Sequence, residues 1–311
     1  FSVTPSASNY TGVYTFSSPA GDPAARRPVA GVLVRATCVW PRQGLSLPVV
    51  TDSTGGFSIP KGTCNTGITV NADLDNQYVF VTGPNSASTQ SDCYVSSPGY
   101  LADCRFGNNY AAAAYARISA AAQTAVARFG RARGSVNVWA SGDPADSTFP
   151  TNFSARENRI HLNARRAVSD DGEFVAAHEY GHAYHWGAIE PWRSYYCSPN
   201  GEHAVYGAYT VSCAYVEGFA DFFGAWLANV RISPSYAYSA AGFESNPYRS
   251  YGPGERIEGA FAAFLLDLVD GPSDPDGVLG DDDSIQLSPA YIEPGSCNRV
   301  IERGMRHPFR A

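Results

Sequence analysis

Lysine is almost missing from this chain: Lys61 stands alone among 311 residues. Charged residues make up only 16% of the composition, and the net charge is -7. A nucleic-acid groove needs clustered Lys and Arg to meet the phosphates, so that class of partner is excluded. Long apolar runs are missing too. None approaches the ~18 residues of a membrane-spanning helix, and no membrane partner is expected. The chain starts at Phe1 without an initiator Met or a signal sequence, which with the low charge predicts a mature exported protein, secreted or at the cell surface.

Aromatic residues and cysteine are well supplied. A hydrophobic fraction of 44% with 19 Tyr, 16 Phe and 5 Trp describes a well-packed globular protein, long enough for two domains or one large domain with an appendage. The 7 cysteines fall into three sequence-local pairs with one left over. In an oxidising compartment this predicts disulfides Cys38–Cys64, Cys93–Cys104 and Cys197–Cys213, with Cys297 free or intermolecular.

The expected organisation is multidomain: an all-β sandwich followed by an α+β domain. Residues 1–28 form an N-terminal arm whose aromatic alternation at Tyr10, Tyr14 and Phe16 suggests an edge strand and a route to self-assembly. Short strands divided by Gly, Pro, Asn and Asp turns occupy 29–90, among them 31–38, 51–59, 67–70 and 78–81, and predict a small β-sandwich. A polar linker over 91–107 carries Cys93 and Cys104. The second domain, 108–311, opens with an Ala-rich helix capped by Asn108 or Asn109 and closed by Gly130, with Tyr115, Ile118, Ala122, Val126 and Phe129 on its core stripe. Strands follow at 136–140 and 159–163. Asp170 and Glu173 form a capping box for a helix over 171–186, further helices are expected at 211–230 and 256–269, and the last is apolar almost all round, which implies burial.

The first of those three helices carries His178-Glu179-Tyr180-Gly181-His182. Two imidazoles one helical turn apart point at a common metal ion, and the carboxylate between them stands beside it. A hydrolytic zinc site needs a third protein ligand and an open fourth position. The metzincin spacing would put Gly and a third His where this chain has His185 and Ala188, so the third ligand is sought elsewhere. Glu217 and Asp221, one turn apart on the next predicted helix, supply two carboxylates, of which one binds metal and the other accepts a hydrogen bond from a ligand histidine.

His178-Glu179-Tyr180-Gly181-His182 followed by Glu217-Gly218-Phe219-Ala220-Asp221 resembles the gluzincins, the thermolysin-like clan of zinc metallopeptidases. That resemblance implies His178, His182 and Glu217 as zinc ligands, Glu179 as general base and Asp221 as partner of a ligand His. The strand around His161 would resemble the edge along which such enzymes lay an extended substrate, a protein or peptide bound by strand addition. The Thr51-to-Phe57 segment likewise resembles transthyretin-like or carboxypeptidase-regulatory-like domains. The chain departs from the thermolysin pattern in the long interval between His182 and Glu217 and in lacking a familiar oxyanion-stabilising His. Tyr248, Tyr251 and His203 are candidates for that role, with Tyr251 preferred, while His161 and His307 are expected to be structural.

Asp274, Asp276, Asp281 and Asp283, clustered around a Gly turn, offer oxygen density suited to calcium, with a solvated acidic loop as the alternative. Asn9 and Asn152 head glycosylation sequons. The expected function is that of a secreted zinc endopeptidase. The competing classes are a non-catalytic zincin scaffold used for binding or assembly, against which the intact Glu179 argues, and a zinc aminopeptidase, for which no amine-holding acidic motif is recognisable.

Overall fold

A computed structural model describes residues 4–17, 26–40, 44–64, 66–83, 89–107, 109–130, 133–141, 150–168, 172–188, 197, 203–228 and 256–267. Tyr248, Tyr251, His307, Cys297 and the calcium candidates Asp274, Asp276, Asp281 and Asp283 lie outside the described residues. The chain divides into two compact units, one of Phe1–Ala120, Ser135–Asn152 and Arg159–Gly172, the other of Ala121–Gly134, Phe153–Asn158 and Glu173–Ala311. Strands and helices are both plentiful, so the fold is mixed α and β.

In the first unit, β1 (Asn9–Ser17) is paired with β2 (Arg26–Pro28) and β5 (Gly56–Pro60) antiparallel and with β9 (Leu101–Arg105) parallel. A second sheet has the order β4 (Gly44–Val50), β3 (Leu33–Cys38), β6 (Ile68–Asp73), β8 (Gln90–Val95). Strand alternation sends Val34, Ala36, Ile68, Val70 and Ala72 inward. The buried Tyr14 hydroxyl, on the first sheet, is shared between the carbonyls of Val70 and Ser91 on the second. Disulfides join Cys38 to Cys64, Cys93 on β8 to Cys104 on β9, and Cys197 to Cys213.

Three expectations shift here. The strand at 9–17 is not an edge or a free arm: it is bonded along both flanks, because Thr11 and Thr15, which look polar in sequence, bury their hydroxyls by donating to the carbonyls of Tyr100 and Cys104. The stretch read as a linker carries two strands, β8 and β9, whose charged residues Asp92, Asp103 and Arg105 are exposed while Ser91 is buried. The strand at 78–81 leaves the sandwich sheets: as β7 (Val79–Thr82) it pairs parallel with β10 (Val136–Ala140).

That third sheet runs β11 (Asn152–Ser154), β12 (Arg159–Leu162), β10, β7. The His161 strand, expected as a substrate-binding edge, is therefore interior, with β11 beyond it. His161 sits beside Trp139, ring centroids 5.7 Å apart.

Helix α1 (Asn109–Phe129) buries Tyr115, Ile118, Ala122 and Phe129. Gly130 closes it at φ 75°, donating its N–H to Val126. Asn76 ties the first half of α1 to β7: its amide donates to Tyr115 Oη and Ser119 Oγ, and its oxygen accepts from the Tyr78 and Val79 N–H groups. A short helix α2 (Ala164–Val168), unforeseen in the sequence, starts where Asn163 Oδ1 accepts the Arg165 N–H.

The second unit is built on α3 (Gly172–Ala188), α4 (Val211–Ala228) and α5 (Glu258–Asp267). Thr210 caps α4 by accepting the Cys213 N–H at 3.1 Å. Phe129, Tyr184 and Phe223 pack ring against ring, with centroids 5.2 Å apart for the first two and 5.4 Å for the last two. Gly218 makes the closest approach between helices possible. A Cβ there would lie 2.6 Å from the Glu258 carbonyl and 2.8 Å from Phe261 Cβ, so α5 begins pressed onto α4 at this position. Among the described residues no helix is long and apolar enough to cross a membrane.

Candidate metal centre

Helical spacing on α3 brings His178 Nε2 and His182 Nε2 to 3.1 Å, their rings at 89°. From α4, Glu217 Oε2 comes to 3.0 Å from His182 Nε2 and 3.5 Å from His178 Nε2. His178, His182 and Glu217 form a group whose ligand atoms all lie within 4.8 Å of one another and could hold a metal ion. The dimensions pass a simple test. Three tetrahedral ligands about 2.0–2.1 Å from zinc sit about 3.4 Å from each other, and the observed triangle is 3.0 to 3.5 Å on a side.

Proton bookkeeping points the same way. Asp221 Oδ1 lies 2.8 Å from His178 Nδ1, which donates to it and so turns Nε2 toward the triangle. Burial alone would lower His178, but its hydrogen bonds to Asp221 and Glu217 outweigh that and hold it well above the usual histidine range. Burial would raise Glu217; the charge of His182 and hydrogen bonds from both histidines hold it well below the usual carboxylate range instead, so it is ionised. Two imidazole nitrogens and one anionic oxygen form a donor set that suits zinc.

Glu179 is buried on α3 between the two histidines. It accepts the backbone N–H of Phe153, while its Oε2 has no hydrogen-bond partner among the described residues. Burial pushes its pKa up.

His203, the one of the three sequence candidates that lies within the described residues, comes to the group: Nε2 is 3.4 Å from Glu217 Oε2 and Nδ1 is 2.8 Å from Glu258 Oε2. Burial would lower His203, but its bond to Glu258 and the charge of Glu217 push it up to about 8. His185 stays outside the triangle. It is buried against Phe219 with Nε2 3.1 Å from Tyr215 Oη, and burial, then the charge of His182, pushes it down to about 3. Glu258 is the residue that sequence inspection missed. Its one signal was a carboxylate heading a helix otherwise apolar all round.

Among the described residues the group offers three protein donors, a number that leaves a tetrahedral ion an open position, and the class that fold and site point to is a metallopeptidase-related protein. The sequence agrees: the mycolysin C-terminal domain family matches residues 126–288, just over half of the chain, and the chain belongs to that family. No curated protein matches it.

Proposed function

We propose that this chain is a secreted zinc endopeptidase of the gluzincin type, hydrolysing peptide bonds in protein or peptide substrates. The observation that carries the reading is the triangle of His178, His182 and Glu217 with the unpaired Glu179 Oε2 alongside. In this reading those three residues hold zinc, and Asp221 fixes the tautomer of His178. A zinc ion there supplies a Lewis acid that brings the pKa of water to about 7 and polarises a carbonyl. Glu179 takes the proton of the attacking water and passes it to the leaving amine. His203, protonated at neutral pH through Glu258, donates from Nε2 to the carbonyl oxygen as charge gathers there. Three disulfides support an extracellular site of action. The first two sheets, meeting across Tyr14, support the transthyretin-like sandwich as an accessory module.

The test is bound zinc and casein hydrolysis for the wild type and Glu179→Gln. The wild type is expected to hold one zinc and cleave; Glu179→Gln is expected to keep the zinc and lose at least 100-fold in kcat, on the order of what removal of a general base costs. A zinc-loaded wild type that cleaves nothing replaces the peptidase with a non-catalytic scaffold.

A further inference from the structure

We infer that Glu258 is a positioning residue that links Asp221 to His203 and so sets both sides of the metal centre from the first turn of α5. The inference rests on the reading of the site as a hydrolytic metal centre and adds a residue to it. Glu258 is 3% exposed. A glutamate at a helix start ordinarily faces water, where it meets the positive end of the helix dipole; this one has been taken out of water at the head of an apolar helix. Its Oε2 lies 2.8 Å from His203 Nδ1, and its carboxyl group is hydrogen-bonded to the carboxylate of Asp221. Asp221 continues to His178 at 2.8 Å, and His203 continues to Glu217 at 3.4 Å. The result is a closed circuit of side chains that begins on one metal-ligand candidate and ends on another.

A buried carboxyl group beside a carboxylate is harder to ionise. Burial, then the charge of Asp221, pushes Glu258 up to about 8, and the proton stays with it. Glu258 donates to Asp221 and accepts from His203. The backbone reinforces this circuit. The segment that carries His203 is stitched to the start of α5 by Tyr209 N–H to the Arg256 carbonyl, Gly259 N–H to the Val205 carbonyl, Arg256 Nε to the Tyr209 carbonyl, and an antiparallel bridge between Ala208 and Ile257. Gly218, one residue past Glu217, is the notch that lets Glu258 come this close.

The test compares Glu258→Gln, which keeps a donor and an acceptor in the same shape, with Glu258→Leu, which keeps the size and neither. Zinc affinity is read by chelator competition, and kcat and KM on a peptide substrate. Expected for Glu258→Leu are a zinc Kd raised at least tenfold, as for loss of a ligand's orienting partner, and kcat lowered at least tenfold with KM within threefold. Glu258→Gln is expected within threefold of wild type on all three. In a His203→Ala background, Glu258→Leu is expected to add little further loss in kcat but its full loss in zinc affinity. Should Glu258→Leu not fold, Glu258→Ala takes its place. The inference is overturned if the Leu variant matches wild type, or if the Gln variant is as impaired as the Leu variant. The zinc arm reads Glu258 even if the wild type proves unable to cleave peptides, so failure of the peptidase function and failure of this inference are told apart.

Discussion

Gly218→Ala is the smallest perturbation that sets two large effects against each other. Gly218 lies inside α4 with an ordinary helical backbone, so on propensity alone Ala stabilises, by about 1 kcal/mol. The added methyl meets the Glu258 carbonyl at 2.6 Å and Phe261 Cβ at 2.8 Å. Carbon contacts are comfortable at about 3.5 Å, so α5 has to retreat by roughly 0.7 Å. Backbone atoms cannot swing aside as a side chain tip does, and overpacking of this kind costs roughly 1–3 kcal/mol. Overpacking wins, and the net expectation is a loss of roughly 0–2 kcal/mol in urea denaturation. Function falls further than stability, because the retreat carries Glu258, with the His203 segment bonded to it, away from Asp221 and Glu217; misplacement on the order of 1 Å costs up to 100-fold. Casein hydrolysis and zinc affinity, measured well below the unfolding temperature, are expected to fall at least fivefold. A variant that is more stable than wild type and equally active refutes the tight helix contact.

Buried His185 makes the fold acid-sensitive through a group outside the metal triangle. Its folded pKa of about 3 lies below the unfolded value near 6.5, so its contribution to stability is whole above pH 6.5 and is lost as pH falls from 6.5 toward 3. Between pH 7 and pH 4 this amounts to roughly 3 kcal/mol, and His185→Gln is expected to flatten the pH dependence of urea denaturation by about that amount; parallel curves for the two proteins would count against it. In the first unit, Asn76→Ala removes four hydrogen bonds at the junction of β7 and α1. A loss of roughly 2–3 kcal/mol is expected in urea denaturation, and one below about 0.5 kcal/mol would mean that water replaces the amide fully.

The candidate metal centre was legible because its parts are local. His178 and His182 share one helix, Glu217 and Asp221 share another, and i, i+4 spacing decides the geometry before any tertiary contact forms. The limits of α1 followed from periodicity and its capping residues for the same reason. What stayed hidden depends on pairing at long range. Nothing local distinguishes a strand at 79–82 that joins a sandwich sheet from one that joins Val136–Trp139 in parallel. The central position of β1 required knowing that two threonine hydroxyls would find carbonyls around residues 100 and 104. Glu258 was passed over because the sequence of α5 shows an apolar cylinder, and the value of one carboxylate on it becomes apparent only when α4 and the His203 segment close around it.

The placement of β7 bears on how the protein is divided for expression. The family match starts at residue 126, and a construction engineer would cut there or at the start of α1, yet β10 takes one of its two parallel neighbours from Val79–Thr82. A fragment lacking β7 presents the bare flank of Val136–Trp139, a row of open amide and carbonyl groups with apolar side chains that recruits strands from other molecules. Shortened forms are therefore expected to be lost to aggregation, and the smallest well-behaved piece includes the strand ahead of Gly83.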